Sequence, residues 1–102
     1  MAVLSVSLEN FDTVMNSEKP VLLDFYADWC GPCRMVSPIV DEIAEQREDI
    51  LVGKVNVDNE QALAMKFGIT TIPTLAVIKG GEVVKQVSGA RPKAAILALI
   101  DG

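Results

Sequence analysis

Val21-Leu22-Leu23-Asp24-Phe25-Tyr26-Ala27 runs directly into Asp28-Trp29-Cys30-Gly31-Pro32-Cys33, and the fold is decided at that junction. Apart from Asp24 the first seven residues are apolar on both alternating faces. That pattern predicts an interior strand of a sheet covered by helices on both sides, because a strand with one wet face would alternate apolar and polar residues. The two thiols, three positions apart at the start of the following helix, fall on one face and can close a disulfide within a single turn. Such a pair can carry two electrons.

Outward from the junction the periodicity alternates between short strands and helices. Toward the N-terminus, Val3 to Val6 reads as an edge strand, and Ser7 as the N-cap of a helix through Phe11, Val14 and Met15 that stops before Pro20. Toward the C-terminus, Met35, Val36, Ile39, Val40, Ile43 and Ala44 recur at three and four, predicting a helix from Cys33 to about Arg47 that Pro38 should kink. Leu51 to Val57 is a second β-rich run, and Glu60 to Phe67 a short helix ended by Gly68. Thr74 to Ile78 and Glu82 to Val87, joined by Gly80-Gly81, form a hairpin. A last short helix, Arg91 to Ile100, has Pro92 in its first turn. The order is βαβαβαββα, an α/β class with a mixed central sheet. Met15, Met35 and Met65 fall at positions that read as core packing.

The chain has 102 residues, half of them hydrophobic. A domain of that size buries roughly 60–70% of its unfolded surface without disulfide staples, so one domain over residues 1–102 is expected and its two cysteines are left for chemistry. No apolar run is long enough to span a bilayer, and Met1-Ala2-Val3-Leu4-Ser5 lacks the basic and apolar regions of a secretory signal. A reducing, cytoplasmic setting is expected. Nine basic against fourteen acidic residues give a charge of −5, which disfavours nucleic acid as a partner.

A free thiol has a pKa of about 8.5, so only a few per cent is thiolate at neutral pH unless the site stabilises the anion. Cys30 would stand at a helix N-terminus, where unpaired N–H groups and the helix dipole favour an anion. Cys33, one turn inside, should be more buried and keep its proton. Cys30 is then the attacking thiol and Cys33 the resolving one. The competing readings are weaker on chemistry: zinc needs more ligands than two cysteines in a chain without histidine, and a structural disulfide closing so short a loop removes little chain entropy.

Asp28-Trp29-Cys30-Gly31-Pro32-Cys33, Lys54-Val55-Asn56-Val57-Asp58, Ile72-Pro73-Thr74 and the Gly80-Gly81 hairpin together resemble the thioredoxin family along nearly the whole chain. The resemblance implies a thioredoxin fold and a protein-disulfide reductase with no bound cofactor beyond the Cys30–Cys33 disulfide. Electrons would come from NADPH through a separate flavin-containing thioredoxin reductase, since the chain has no Gly-rich dinucleotide fingerprint of its own. Partners are then that reductase and disulfide-containing substrate proteins, with no membrane and a monomeric state.

For a buried Asp24 the residues alone leave a partnered structural carboxylate open; the resemblance implies a general base that takes the Cys33 proton, with Lys54 steering its charge. Pro73 on its own marks a turn or strand edge, and the resemblance implies a cis bond beside the disulfide. Carried over position by position, the substrate rim is Trp29, Gly31, Pro32, Val57, Thr71, Ile72, Pro73, Ser88 and Gly89. Tyr26, Arg34, Thr71 and Ser88 depart from the commoner family residues and leave substrate preference open. Gly31-Pro32 resembles the reducing branch. A disulfide oxidase or isomerase, or a binding subunit on the same fold, is the alternative.

Overall fold

The computed structural model describes residues 3–102. Its elements follow the expected order: β1 (Val3–Ser5), α1 (Phe11–Met15), β2 (Val21–Tyr26), α2 (Gly31–Gln46), β3 (Leu51–Asn56), α3 (Gln61–Lys66), β4 (Thr74–Lys79), β5 (Glu82–Ser88) and α4 (Lys93–Asp101). The five strands form one sheet in the order β1-β3-β2-β4-β5. β3 runs parallel to both β1 and β2, while β4 is antiparallel to β2 and β5 to β4. The two parallel crossovers put helices on the sheet faces, and β2 lies at the centre, buried from Val21 to Phe25.

Alternation along β2 divides the core into two layers. Leu22 packs with Val36, Val40 and Ile43 of α2 and with Ile96 and Ile100 of α4. Val21, Leu23 and Phe25 pack on the opposite face with Phe11 and Val14 of α1, Leu63 of α3 and Val6. Asp24 shares its face of the sheet with Leu22, and in the register of β2 on β3 it stands opposite Lys54. The helix α4, though short, therefore buries both its isoleucines in the layer that covers this face.

Local signals locate the ends. Gly80 and Gly81 both have positive φ, +62° and +80°, the conformation that a two-residue hairpin loop demands and that side chains with a Cβ resist. Gly68, at φ +65°, ends α3: its N–H donates to the Met65 carbonyl and that of Ile69 to Ala64, so two orphan carbonyls are satisfied. Pro38 lies within α2, which continues past it to Gln46. At its C-terminus Arg47 grips Asp49 and Asp101, linking α2 to the end of α4.

Four local expectations need correcting. The residue before α1 is Asn10, not Ser7; its side chain turns back to accept the Ser7 N–H and donate to the Ser5 carbonyl, bracing the loop instead of capping the helix. Pro92 precedes α4 as its N-cap and is not in its first turn. Met35 and Met65 are not core residues, being 70% and 81% exposed. Met65 lies two positions, a rotation of about 200°, from Leu63, the buried residue of α3, and Met35 falls outside the stripe of α2 formed by the buried Cys33, Val36, Val40, Ile43 and Ala44. Of these three methionines, Met15 packs against the core.

Gly53 in β3 is required by space. A Cβ there would stand 2.6 Å from Val6 Cγ2 and 3.0 Å from Leu23 Cδ2, two side chains held in the packed layer. Gly53→Ala should therefore destabilise the fold by about 1–3 kcal/mol, the usual cost of overpacking. A urea titration should show a lower midpoint with an unchanged slope, and shortening the neighbour in Val6→Ala/Gly53→Ala should recover part of the loss.

Candidate active site

After Tyr26 the chain leaves the sheet, and the Cys30 N–H donates to the Ala27 carbonyl at 3.2 Å to close a turn. Cys30 is the N-cap of α2, in extended conformation at φ −85° and ψ 113°. Its Sγ accepts the Cys33 N–H at 3.2 Å. Pro32, in the first turn, has no N–H to leave unsatisfied there. The two cysteines are joined as a disulfide with Cα atoms 5.3 Å apart.

Burial does not separate the two sulfurs. Cys30 is 4% and Cys33 3% exposed, so the expectation that Cys33 is the more buried meets almost no difference. Cys30 is roofed because Ala27, Tyr26, Val57 and Ile72 pack around the pair. The asymmetry is electrostatic: Cys30 Sγ receives a helix N–H, and Cys33 Sγ, inside the helix, does not take the cap position.

The Ile72-Pro73 bond is cis, as the family resemblance implied. The Ile72 carbonyl oxygen lies 3.9 Å from Cys30 Sγ, so the backbone just before the proline faces the disulfide. Two contacts hold this loop. The Gly89 N–H donates to the Pro73 carbonyl at 2.8 Å, and the Thr74 hydroxyl donates to the Thr71 carbonyl at 2.7 Å while lying 3.1 Å from Ser88 Oγ. Gly89, at φ +98°, is in a conformation that favours glycine.

Trp29 is 67% exposed, and its indole N–H donates to Asp58 Oδ2 at 2.9 Å, which pins the ring to the surface. Together with Val57, Ala64, Ile69, Thr70, Thr71 and Ile72 it lines a groove of about 190 Å³ beside the disulfide. Gly31 and Pro32 are exposed on the helix start, and Ser88 and Gly89 on the far side of the cis bond. Of the rim residues carried over from the family, Val57 and Ile72 pack against the cysteine pair, and Gly31 and Pro32 follow Cys30 in the first turn of α2. Asp58, Ala64, Ile69 and Thr70 were not anticipated; Asp58 was visible in the Lys54 to Asp58 motif, but its contact with Trp29 bridges residues 29 apart in sequence.

Asp24 is 1% exposed, and neither carboxylate oxygen has a hydrogen-bond partner among the described residues. Desolvation pushes its pKa up to about 6; Lys54 opposes the rise and Asp41 adds to it. Lys54 is present opposite Asp24, but its ammonium is taken by α2: Nζ lies 2.8 Å from Asp41 Oδ1 and donates to Ser37 Oγ. Neither Ser37 nor Asp41 was singled out in the sequence. The signal was available, since Cys33, Ser37 and Asp41 recur every four residues and stack along one side of the helix. Among the described residues no group of three or more histidine, cysteine or acidic side chains is arranged to hold a metal ion.

Comparison with known proteins agrees with this geometry. The family profile described as Thioredoxin matches residues 2–102. A thioredoxin of Pyropia yezoensis is 48% identical over 103 residues, covering 99% of this chain and 96% of that protein. A protein of Mycobacterium leprae named bifunctional thioredoxin reductase/thioredoxin is 49% identical over 88 residues, 85% of this chain and 19% of its own length. The solved structure of a mutant thioredoxin from Halobacterium salinarum superposes with a TM-score of 0.90 at 43% identity, covering 97% of this chain and 88% of that one.

The raised pKa of Asp24 makes stability depend on pH. Below about pH 4 the carboxyl is protonated in both folded and unfolded chains and costs nothing extra. Between about pH 4 and 6 the unfolded chain releases the proton and the folded one keeps it, so stability falls as pH rises and levels off above about 6. The loss approaches ~3 kcal/mol at neutral pH, the equivalent of about two pKa units. Asp24→Asn should remove that slope: the stability of the oxidised variant relative to the parent, from urea unfolding, should climb through about pH 4–6 and then stay constant.

Proposed function

The chain belongs to the thioredoxin family, and on that premise we propose that Cys30 attacks the disulfide of a substrate protein and that Cys33 resolves the mixed disulfide, with Asp24 taking the Cys33 proton. The activity is protein-disulfide reduction by a thiol-disulfide oxidoreductase, as the family match and the Cys30–Cys33 pair establish. The order of attack is carried by one observation, the Cys33 N–H directed at Cys30 Sγ at the N-cap of α2. That donor and the helix dipole stabilise a thiolate on Cys30 in the reduced protein.

The Cys30 thiolate attacks one sulfur of the substrate disulfide, forming an intermolecular S–S bond and releasing the other sulfur as a thiolate. Cys33 then loses its proton, attacks Cys30 Sγ, and frees the second substrate thiolate. Two electrons have moved to the substrate and the Cys30–Cys33 disulfide has formed. Asp24 suits the middle step because burial raises its proton affinity toward the neutral range, where a base accepts and returns protons readily.

An extended substrate segment would pair with the backbone at Ile72, which lies outside the sheet and whose carbonyl faces Cys30 Sγ, with Thr71 beside it. Trp29, Val57, Ser88 and Gly89 would flank it, with Gly31 and Pro32 at the helix start. The oxidised chain is recycled by thioredoxin reductase carrying electrons from NADPH through a flavin; the fused reductase and thioredoxin of the M. leprae relative supports that pairing. The uncharged Gly31-Pro32 pair adds no cation beside Cys30, which favours reduction over the oxidase or isomerase alternative. A monomer in the cytoplasm is the proposed setting. No helix of the described residues is long and apolar enough to cross a membrane.

Cys33→Ser should accumulate a covalent adduct with a disulfide-containing protein substrate that survives a non-reducing gel, whereas Cys30→Ser should give none. If Cys33→Ser traps nothing, or Cys30→Ser traps as well, the assigned order of attack is wrong. Asp24→Asn should slow release of the mixed disulfide about 10-fold or more at neutral pH, in keeping with loss of a general base, while the initial attack changes less. Stopped-flow with a fluorescent disulfide substrate separates the two steps, and equal slowing of both would remove Asp24 from the proton transfer.

A further inference from the structure

The salt bridge from Lys54 to Asp41 joins the buried Asp24 to the surface of α2. Lys54 stands opposite Asp24 on the neighbouring strand, under the same helix, yet it makes no hydrogen bond to that carboxylate. Its ammonium is instead held 2.8 Å from Asp41 Oδ1 and donates to Ser37 Oγ, both on α2 one and two turns beyond Cys33. The lysine side chain is largely covered, at 16% exposure, while Asp41 reaches solvent at 55%. The cleft beside them, about 380 Å³ between β1 and α2, is lined by Leu4, Tyr26, Asp41, Glu45 and Lys54.

We propose that Asp41, seconded by Ser37, is a positioning residue that draws the Lys54 ammonium away from Asp24 and so sets the proton affinity of that buried carboxylate. This deepens the role given to Asp24 above and rests on it for its catalytic consequence. A positive charge turned toward Asp24 would favour its ionised form and weaken it as a proton acceptor; a positive charge neutralised by Asp41 does so less. Asp41 also acts directly, as a second negative charge facing the same pocket. The other titratable or charged groups around the pair are Cys33, Arg34 and Glu45 on α2, Asp28 in the turn before it and Tyr26 on β2, while β4 brings Leu75 opposite Asp24.

Asp41→Asn removes the clamp at a solvent-facing position. In the oxidised protein, where neither cysteine titrates, the Asp24 carboxyl can be followed by carbon NMR, its resonance identified by its loss in Asp24→Asn. The midpoint should fall by about one pH unit in Asp41→Asn, because a like charge is lost and Lys54 is released toward Asp24. A midpoint that stays or rises overturns the proposal. Repeating the substitution in a Lys54→Met background separates the routes: a clearly smaller shift supports action through the lysine, and an equal shift overturns it. In the reduced protein the pH profile of mixed-disulfide resolution should move to lower pH in step with the NMR midpoint. A moved midpoint with an unmoved profile leaves the clamp standing and counts instead against Asp24 as the base.

Discussion

Strand β2 gives no side chain to water from Val21 to Phe25, and it can do so only while parallel and antiparallel neighbours flank it and helices cover both its faces. That requirement organises the molecule. Leu22 recruits α2 and α4, Leu23 and Phe25 recruit α1 and α3, and the strand must then emerge at a fixed point with its end held in the sheet. The turn at Ala27 and the start of α2 follow immediately, so the position of Cys30 is inherited from the packing of a strand that contains no chemistry except Asp24.

The sulfur pair and the carboxylate are two consequences of that burial. At the edge of the core, the chain must begin a helix, and the first turn of a helix carries N–H groups that need acceptors. Cys30 supplies one, which makes a structural necessity into a means of holding negative charge on sulfur. Within the core, Asp24 takes a place where an apolar residue would be more stable, and the desolvation that destabilises the fold also raises the proton affinity on which its proposed role in resolution rests. The same side chain thus weakens the fold and equips the site.

What the sequence revealed followed local physics. The doubly apolar run of β2, the paired glycines of the β4–β5 turn and Gly68 at the end of α3 each impose a backbone conformation or a burial pattern that nearest neighbours determine, and all were legible. The cis bond at Pro73 and the members of the rim were not legible from local pattern, and came only through resemblance to a family. What escaped even that depended on contacts between distant segments. Cys30 is covered because Ile72 folds over it from 42 residues away. Met35 and Met65 were misread because a helix with several apolar positions does not by itself say which side meets the sheet. Lys54 could be located opposite Asp24 from strand order, but not the choice of its ammonium for Asp41.

The polar residues that depart from family habit have a structural use that bears on recognition. Ser88 and Thr71 lie on the rim, yet Ser88 Oγ is engaged with the Thr74 hydroxyl, which in turn donates to the Thr71 carbonyl. The loop before Pro73 is thereby tied to β5 from one side while Gly89 ties it from the other. Arg34 is also occupied, donating to the Asp28 carbonyl in the turn that carries Trp29. Ser88 and Arg34 thus use hydrogen bonds to hold the loops around the disulfide in shape, whereas Thr71 takes part through its backbone carbonyl. On the substrate rim proposed above, such bonds would fix the shape that a partner meets before it arrives, leaving shape and apolar contact to select among partners.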